Sequence, residues 1–404
     1  MAESSRALDF PNFRFYVAAR FLTTFAVQMQ SVAIGWQVYA ITGDPLDLGL
    51  VGLAQFLPFV VLVLPAGQVA DRFDRRIILT LCYVLETLCA FLLLVYSLTG
   101  IEDVWPVFGV LVLYGCARAF AMPTSQAITL NLVPRKAFPN AVALNSSTSH
   151  VATIAGPAVG GVIYVLGPAS VYSVVTAILS VSVCMMFLVR LPKVIRAPEP
   201  ANWQTLMEGL RFVRSRPVIL GAISLDLFAV LFGGAVALLP VFAADILHVG
   251  PEGLGILRTS PAVGAAVTAS VLAFFPITRN VGAWLFMGVA VFGFSIVLFG
   301  LSTMFLLSLF ALILMGAGDM VSVYIRHMLV QLETPDEIRG RVSAVSAVFI
   351  GASNELGEFE SGVTAAWFGV IPAVVIGGTA TIAVAALWTR LFPTLTRMDR
   401  LPGD

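Results

Sequence analysis

Charged residues are scarce in this sequence. Only 11% of its 404 residues are charged, while 59% are hydrophobic. A soluble fold of this length needs a charged surface that so few ionisable side chains cannot supply. The low charge therefore predicts a membrane protein. The 23 basic and 23 acidic residues balance, which argues against a nucleic-acid partner.

Cysteine and histidine are also rare. The four cysteines, Cys82, Cys89, Cys116 and Cys184, all fall inside apolar runs. This placement favours small buried hydrophobic side chains over disulfides or metal ligands. No two of the three histidines have the spacing of metal ligands, and no nucleophile–base arrangement is visible. We therefore expect no metal, no cofactor and no enzymatic activity.

Long apolar runs, by contrast, are abundant. A membrane-spanning helix needs about 20 mostly apolar residues, and irregular backbone cannot face lipid. Twelve runs meet this need: 15–41, 46–69, 77–98, 105–130, 141–166, 168–189, 218–244, 253–275, 281–301, 304–325, 342–368 and 372–391. The first run is too long for a signal-peptide core. The sequence thus predicts an all-α membrane protein with twelve transmembrane helices, lying in a lipid bilayer.

Basic residues are confined to alternate loops between these spans. With the N-terminus inside, the inner segments hold Arg72, Arg75, Arg76, Arg135, Lys136, Arg190, Lys193, Arg196, Arg211, Arg214, Arg216, Arg279, Arg339, Arg341, Arg397 and Arg400. The outer loops hold seven ionisable residues, none of them Lys or Arg: Asp44, Asp47, Glu102, Asp103, Asp245, His248 and Glu252. Because cytoplasmic loops collect Lys and Arg, we predict a multi-pass protein of a bacterial inner membrane with both termini cytoplasmic.

The longest connection, 191–217, separates two groups of six spans. Within it Trp203, Leu210 and Val213 follow a helical spacing, which predicts an amphipathic helix on the inner membrane face. A connector that only spaces the halves is the alternative. The segments 140–161 and 340–361 resemble each other after a shift of 200 residues. We therefore predict two pseudo-symmetric six-helix halves, 1–190 and 218–404.

Span eleven is the most polar span. Glu355 and Glu358 are three residues apart, so they share a helix face. Two carboxyls on one face of low dielectric cannot both ionise cheaply, so we expect one to hold a proton near neutral pH. A proton-coupled carrier needs such a group. The alternative is a structural pair that arginines of neighbouring spans neutralise.

Other ionisable residues inside the spans are further candidates, because such residues are expensive there. Three are carboxyls and three are guanidinium groups: Glu86, Asp226, Asp319, Arg20, Arg118 and Arg258. The carboxyls are candidates for proton coupling or for buried ion pairs. The arginines are candidate ion-pair partners or contacts for a substrate carboxylate, and Arg326 near the end of span ten is another. The sequence does not assign the pairs.

The loop between spans two and three carries a recognisable pattern: Gly67, Asp71, Arg72, Arg75 and Arg76. It resembles the corresponding loop of the major facilitator superfamily, although members usually have glycine where this chain has Asp74. The resemblance implies that Asp71, with Arg72 and Arg76, latches the two halves on the inner side. The alternative is that the loop only anchors the topology through its positive charge.

Span five carries a second family pattern: Gly156, Pro157, Gly160 and Gly161. It resembles a motif of drug and metabolite exporters in the superfamily, where it is tied to antiport; the alternative is helix packing alone. Arg118 resembles the span-four arginine of antiporters, which is associated with proton transfer. The Gln-Gly that usually follows is absent here.

Several segments resemble the subfamily that contains enterobactin exporters and macrolide-efflux proteins: 208–217, 237–240 and 339–343. The resemblance implies a secondary carrier, functional as a monomer, that exports a small amphipathic siderophore or drug-like molecule against proton entry by alternating access. Fold does not fix function, so two alternatives stay open. One is an importer or a carrier of a lipid-like substrate, and the other is a non-transporting membrane sensor.

Overall fold

The structure is a computed structural model that describes residues 6–100, 103–191 and 203–401. Within these ranges some side chains lie outside the description, namely those at 63, 64, 71, 203–206, 336, 337, 339, 340, 344 and 347. The predicted roles of the Asp71 and Arg339 side chains, and of the linker residues 192–202, therefore lie outside the described part of the chain.

The first six long helices are α1 (Pro11–Thr42), α2 (Pro45–Arg72), α3 (Arg75–Thr99), α4 (Trp105–Leu132), α5 (Phe138–Tyr164) and α6 (Pro168–Leu188). Their ends follow from local chemistry. Proline occupies the first positions of α1 and α6, where its missing N–H costs nothing. Gly43 ends α1 with a φ of 62°, a left-handed conformation that glycine adopts without strain.

The remaining helices are α7 (Trp203–Ser215), α8 (Pro217–Phe232), α9 (Leu239–Val241), α10 (Gly250–Phe274), α11 (Val281–Leu301), α12 (Phe305–Glu333), α13 (Asp336–Phe368), α14 (Val370–Leu391) and α15 (Pro393–Thr396). The predicted span 218–244 lies within one helical segment, Pro217–Ile246, that is long and apolar enough to cross a membrane. Within this segment the regular α-helix is interrupted, because α8 ends at Phe232. A side chain at Gly234 would place its Cβ 2.2 Å from the carbonyl oxygen of Gly357. The close approach of α13 therefore requires glycine there, and glycine is a poor helix former.

The other eleven predicted spans each coincide with one long helix, and the predicted all-α fold is confirmed. Ten helical segments of the described residues are long and apolar enough to cross a membrane. Helices α5 and α13 are also long, with 27 and 33 residues, but they are more polar. The described residues contain no strand. The chain is therefore an all-α membrane protein.

The helices form two compact units. Unit 1 contains Met1–Gly43, Ala54–Ala201 and Pro251–Thr259, and unit 2 contains Asp44–Leu53, Asn202–Gly250 and Ser260–Asp404. The first turns of α2 thus belong to unit 2, and the first turns of α10 belong to unit 1. The predicted division into consecutive segments 1–190, 191–217 and 218–404 stays a prediction.

Helix packing repeats from one unit to the other. In unit 1, α1 packs on α5 and α6, and α3 packs on α4 and α6. In unit 2, α8 packs on α13 and α14, and α11 packs on α12 and α14. Helices α8, α11, α12, α13 and α14 occupy the same places in the order of the second half as α1, α3, α4, α5 and α6 do in the first, so the two sets of packed pairs correspond. The predicted pseudo-symmetric repeat is therefore visible in the packing.

Helix α7 lies in the predicted linker, and its described residues pack on unit 2. Val213 is buried in one apolar cluster with Ile219, Val330 and Val345. On its polar side, Glu208 forms an ion pair with Arg341 at the start of α13. The described part of this amphipathic helix therefore packs its apolar face on protein.

Candidate transport site

Unit 1 contains a polar cavity of about 210 Å³ between α1, α3 and α4. Its walls include Arg20, Glu86 and Arg118, three of the ionisable residues predicted from the sequence as functional candidates. They come from three different spans, so only the folded chain brings them together. Sequence spacing alone gave no sign of this meeting.

Glu86 is the acidic group of the cavity. Its side chain is only 5% exposed, and its Oε2 atom finds no hydrogen-bond partner among the described residues. An unsatisfied buried acceptor is costly. It persists where water or a ligand supplies the missing donor, and a polar cavity provides the space for one.

The two arginines of the cavity are held in place differently. Arg20 donates from Nη1 to the hydroxyl of Tyr16 at 3.2 Å, and that hydroxyl donates to the backbone carbonyl of Ser125 at 2.8 Å. Arg118 lies over the ring of Phe59, with 5.5 Å between its Cζ atom and the ring centroid. Such cation–π contacts fix the plane of a guanidinium.

A second group of charged residues is buried in unit 2. Asp226 of α8 and Arg326 of α12 form an ion pair with 2.5 Å between Oδ2 and Nη1, and their side chains are 5% and 4% exposed. Asp319, two turns before Arg326 on α12, is within electrostatic range of both. His327 interacts with Asp226 in the same way. One of the pairings that the sequence left open, Asp226 with Arg326, is thus assigned.

The predicted carboxyl pair of span eleven lies beside the first turns of α2. A Cβ at Gly52 would lie 2.9 Å from Oε2 of Glu358 and 3.4 Å from the carbonyl oxygen of Glu355. Glu355 is buried and Glu358 is partly buried. Glu360 accepts a hydrogen bond from Thr364 instead. A side chain at Gly52 would press on the side chain of Glu358, and the coupling role of the pair stays a prediction.

Arg258 lies on α10, in the turns that belong to unit 1, and it is partly buried. It is not among the residues that line the cavity. Its predicted role as a contact for substrate or for a carboxyl is not tested by this placement.

The glycines of span five face neighbouring helices at very short range. The nearest atoms to a Cβ built on each are Cβ of Gln28 at 2.6 Å from Gly156, Cα of Met29 at 2.8 Å from Gly160, and the Pro251 carbonyl oxygen at 2.5 Å from Gly161. Pro157 is buried in the same stretch. The motif therefore makes a close-packed surface, as small residues do in membrane helices. Its link to export stays a prediction.

The basic pattern between α2 and α3 ties helix ends together inside unit 1. Arg75 is buried and donates to the Ala70 carbonyl oxygen at 3.2 Å, the Ala127 carbonyl oxygen at 3.1 Å and Oδ1 of Asn131 at 2.9 Å. Arg76 donates to the carbonyl oxygen of Phe187 at 2.7 Å. These bonds join the end of α2 and the start of α3 to α4 and α6.

The rest of this pattern is more open. Asp74 caps the N-terminus of α3 by accepting a hydrogen bond from the backbone N–H of Arg76 at 2.9 Å, which explains why this chain can differ from the family here. Arg72 is exposed, and a Cβ at Gly67 would meet nothing within 4 Å. A latch between the two halves remains a prediction.

Neutral residues of the cavity were missed by the sequence analysis. A usable signal exists, because a tyrosine precedes each charged residue by three or four positions: Tyr16 before Arg20, Tyr83 before Glu86 and Tyr114 before Arg118. That spacing puts each pair on one helix face. Tyr83 and Tyr114 line the cavity, and Tyr16 orients Arg20.

Comparison with known sequences places the chain among transporters. Residues 5–402 match a family model described as "Transmembrane secretion effector". The chain is 26% identical over 375 residues to "Uncharacterized MFS-type transporter YfiS" of Bacillus subtilis (strain 168), covering 86% of this chain and 85% of that one. It is 25% identical over 411 residues to "Enterobactin exporter EntS" of Citrobacter koseri, covering 97% and 94%.

Solved structures of similar fold are also transporters. A mutant of the nucleoside transporter NupG superposes with a TM-score of 0.76 at 12% identity, covering 94% of this chain and all of that chain. A bacterial homologue of the human lysosomal transporter Spinster gives 0.74 at 14% identity, covering 96% of both chains. The predicted fold and transport function are confirmed, and the chain is not an enzyme. It belongs to the transmembrane secretion effector family of major facilitator superfamily transporters.

Proposed function

We propose that this transporter exports a small amphipathic molecule, a siderophore or drug-like compound, in exchange for protons. It works by alternating access, as a monomer, in a bacterial inner membrane with both termini in the cytoplasm. The observation that carries the proton coupling is the buried group of Asp226, Asp319 and Arg326 in unit 2.

This group contains more acidic than basic side chains. Two carboxyls lie in electrostatic range of one guanidinium, and both belong to membrane-spanning helices. If both carboxyls were ionised while His327 was neutral, one negative charge would be left without compensation in a place where charge is expensive. A single proton removes that charge. The group is therefore suited to bind and release one proton during each cycle.

Within the group the two carboxyls have different partners. Asp226 is held by Arg326 in a direct ion pair, whereas Asp319 is only in electrostatic range. Asp319 is therefore the carboxyl we assign to the exchangeable proton, and Asp226 keeps Arg326 in position. Glu355 and Glu358 are a second candidate pair for the same coupling.

Two further observations support export. Relatives with about one quarter of their residues identical to this chain are named as enterobactin exporters, and Gly156 and Pro157 resemble the exporter motif of span five. The distribution of Lys and Arg supports the proposed orientation. In that orientation protons would enter the cell as the substrate leaves.

The test compares the native host with and without the gene by untargeted mass spectrometry of medium and cell extract. An exporter leaves its substrate in the medium only when the gene is present, and deletion cells accumulate it. Strains with Asp319→Asn, Asp319→Glu or Arg214→Gln, the last at an exposed arginine of α7, are compared at equal membrane abundance. We expect the asparagine variant to match the deletion, and the other two to keep at least about half of the export.

The possible results distinguish the direction of transport and the residue that carries the coupling proton. Uptake that depends on the gene would make the protein an importer and contradict the proposal. Full export by the asparagine variant would show that Asp319 carries no coupling proton. If the Glu355→Gln and Glu358→Gln variants alone abolish export, the coupling would belong to span eleven.

A further inference from the structure

We propose that the C-terminal segment, residues 392–401, forms a basic surface together with Arg279 and Arg390, and that this surface binds the head groups of anionic phospholipids. The inference goes beyond the proposed function, because it concerns the bilayer and not the transported molecule. The orientation proposed above places the surface at the inner leaflet.

The C-terminal segment folds back against the ends of two long helices of unit 2. A Cβ at Gly282, in the first turn of α11, would lie 2.2 Å from the carbonyl oxygen of Leu395. A Cβ at Gly221, near the start of α8, would lie 2.8 Å from the ring of Phe392. The backbone N–H of Gly282 also donates to the carbonyl oxygen of Met398 at 2.9 Å. The segment is therefore part of the packed structure of unit 2.

The length of α11 sets the level of this segment relative to the bilayer. The 21 residues of α11 span about 32 Å, which matches the roughly 30 Å of a hydrocarbon core. The first turn of α11 therefore reaches the boundary between hydrocarbon and head groups. Because the C-terminal segment packs on that turn, it lies at the level of the head groups.

The leucines of the segment are already used by the protein core. Leu395 is fully buried and Leu401 is 6% exposed, in one apolar cluster with Leu225 of α8. Arg397 and Arg400 are exposed. Since the leucines that would insert into lipid face the core instead, the segment meets the membrane through its charged side chains.

Arginines outnumber acids on this surface. Four exposed arginines lie in the segment or directly beside it: Arg279, Arg390, Arg397 and Arg400. The acid that the described contacts place among them is Asp399, whose Oδ2 lies 3.9 Å from Nε of Arg279 and 3.8 Å from Nε of Arg400. One carboxylate neutralises one guanidinium, so three positive charges remain. A lipid phosphate supplies the opposite charge, and the planar fork of arginine matches its oxygens.

Asp399 also holds two of the arginines close together. Its Oδ1 accepts a hydrogen bond from the backbone N–H of Asn280 at 3.2 Å, which fixes the carboxylate at the start of α11. Arg279 and Arg400 both contact this carboxylate, while their side chains stay 72% and 59% exposed. Most of their N–H groups are therefore accessible, and one phosphate can reach both guanidinium groups.

The test is native mass spectrometry of the purified full chain in a neutral detergent, titrated with phosphatidylglycerol as the probe. Zwitterionic phosphatidylcholine with the same acyl chains is the matched lipid. We expect phosphatidylglycerol to bind at least ten-fold more tightly. This difference should shrink as ammonium acetate rises from about 0.05 M to about 0.5 M, because salt screens interactions between exposed charges.

Variants separate the contributions of the residues. Each arginine near an anionic lipid surface contributes about five-fold in affinity, so the triple variant Arg279→Gln, Arg397→Gln, Arg400→Gln should bind phosphatidylglycerol at least ten-fold more weakly. Asp399→Asn keeps the Oδ1 acceptor but removes a negative charge, and should tighten binding about two- to five-fold. Arg190→Gln, at an exposed arginine after α6 in unit 1, should leave binding unchanged. Thermal unfolding confirms that each variant is folded.

Several outcomes would overturn the inference. They are equal binding of the two lipids, unchanged phosphatidylglycerol binding in the triple variant, or weaker binding in folded Asp399→Asn protein. Displacement of the lipid by inorganic phosphate at the same concentration would also overturn it, because the surface would then be a site for a free anion. Gene-dependent export can persist in each of these cases, so the proposed function is tested separately.

Discussion

Two groups of buried charged residues, one in each unit, use the same side-chain types in opposite proportion. In unit 1, Arg20 and Arg118 line one cavity together with Glu86. In unit 2, Asp226 and Asp319 share Arg326. The first group contains two arginines and one carboxyl, and the second contains two carboxyls and one arginine.

The two groups also differ in how their polar atoms are satisfied. Asp226 and Arg326 bond directly to each other, while Oε2 of Glu86 faces a cavity without a partner among the described residues. A direct ion pair stabilises a fold only while both partners remain. An open polar cavity keeps its binding atoms available. The comparison shows that the polar atoms of one group are satisfied within the protein, whereas the other group leaves a buried acceptor facing a cavity.

The largest expected effect breaks the ion pair of unit 2. Arg326→Gln leaves Asp226 as a buried carboxylate without its partner, which should destabilise the protein by about 3–5 kcal/mol. Arg20→Gln in unit 1 should cost less than about 1 kcal/mol, the scale of its single hydrogen bond. Thermal unfolding in detergent measures both.

The double variant Asp226→Asn with Arg326→Gln should recover most of the lost stability, because no uncompensated charge remains. Equal destabilisation by Arg326→Gln and Arg20→Gln would show that the two groups do not differ in the way described.

A buried arginine that donates to backbone carbonyls sharpens the comparison. Arg75 bonds to two backbone carbonyls and to Asn131, so Arg75→Ala should cost about 1.5–3 kcal/mol, the range of a hydrogen bond to a charged group. Arg72→Ala, at an exposed position, should change stability by less than about 0.5 kcal/mol. Chemical unfolding curves would compare them, and equal losses would contradict the packing role of Arg75.

A glycine lies three residues before a charged residue in both groups. A Cβ at Gly115, before Arg118, would lie 2.3 Å from the Gln55 carbonyl oxygen, and one at Gly316, before Asp319, would lie 1.9 Å from that of Pro261. Alanine at either position should therefore cost about 1–3 kcal/mol through overpacking and lower transport.

The matched control is Gly109→Ala on α4, where a Cβ meets nothing within 4 Å. It should be neutral or slightly stabilising, because alanine favours the helix. Transport assays and unfolding midpoints of the three variants would test this, and a loss for Gly109→Ala equal to the others would remove close packing as the cause.

A small effect on stability is also expected for Asp319→Asn. This change removes the excess negative charge of unit 2, so the unfolding free energy should stay within about 1 kcal/mol of the parent or rise. Transport driven by a pH gradient in vesicles should nevertheless be lost. A strong loss of stability would mean that Asp319 is a structural residue like Asp226.

The sequence predicted the spans, the repeat and the family, because these depend on local apolar length and on short motifs. It could not assign the partner of Asp226, since Arg326 is 100 residues away and the rotation of each helix about its axis decides which residues meet. The cavity of unit 1 could not be predicted for the same reason, because its residues come from three separate helices. The tyrosine that precedes each charged residue of the cavity was a local signal from which their meeting could have been predicted.

The break in span seven shows a different limit. Apolar length predicted the span 218–244 correctly, but it did not show that α8 stops before Gly233 and Gly234, where α13 comes close. The low helix propensity of glycine alone predicts a helix break only weakly. The reason for the break lies in a partner more than 100 residues further along the chain.

The exchange of segments between the units has a consequence for dividing the gene. A fragment that ends at residue 190 lacks Pro251–Thr259, which unit 1 contains, and a fragment that begins at residue 218 lacks Asp44–Leu53 of unit 2. Each product would leave glycine surfaces such as those of Gly161 and Gly362 uncovered. The two products should therefore accumulate together and be degraded when either is made alone.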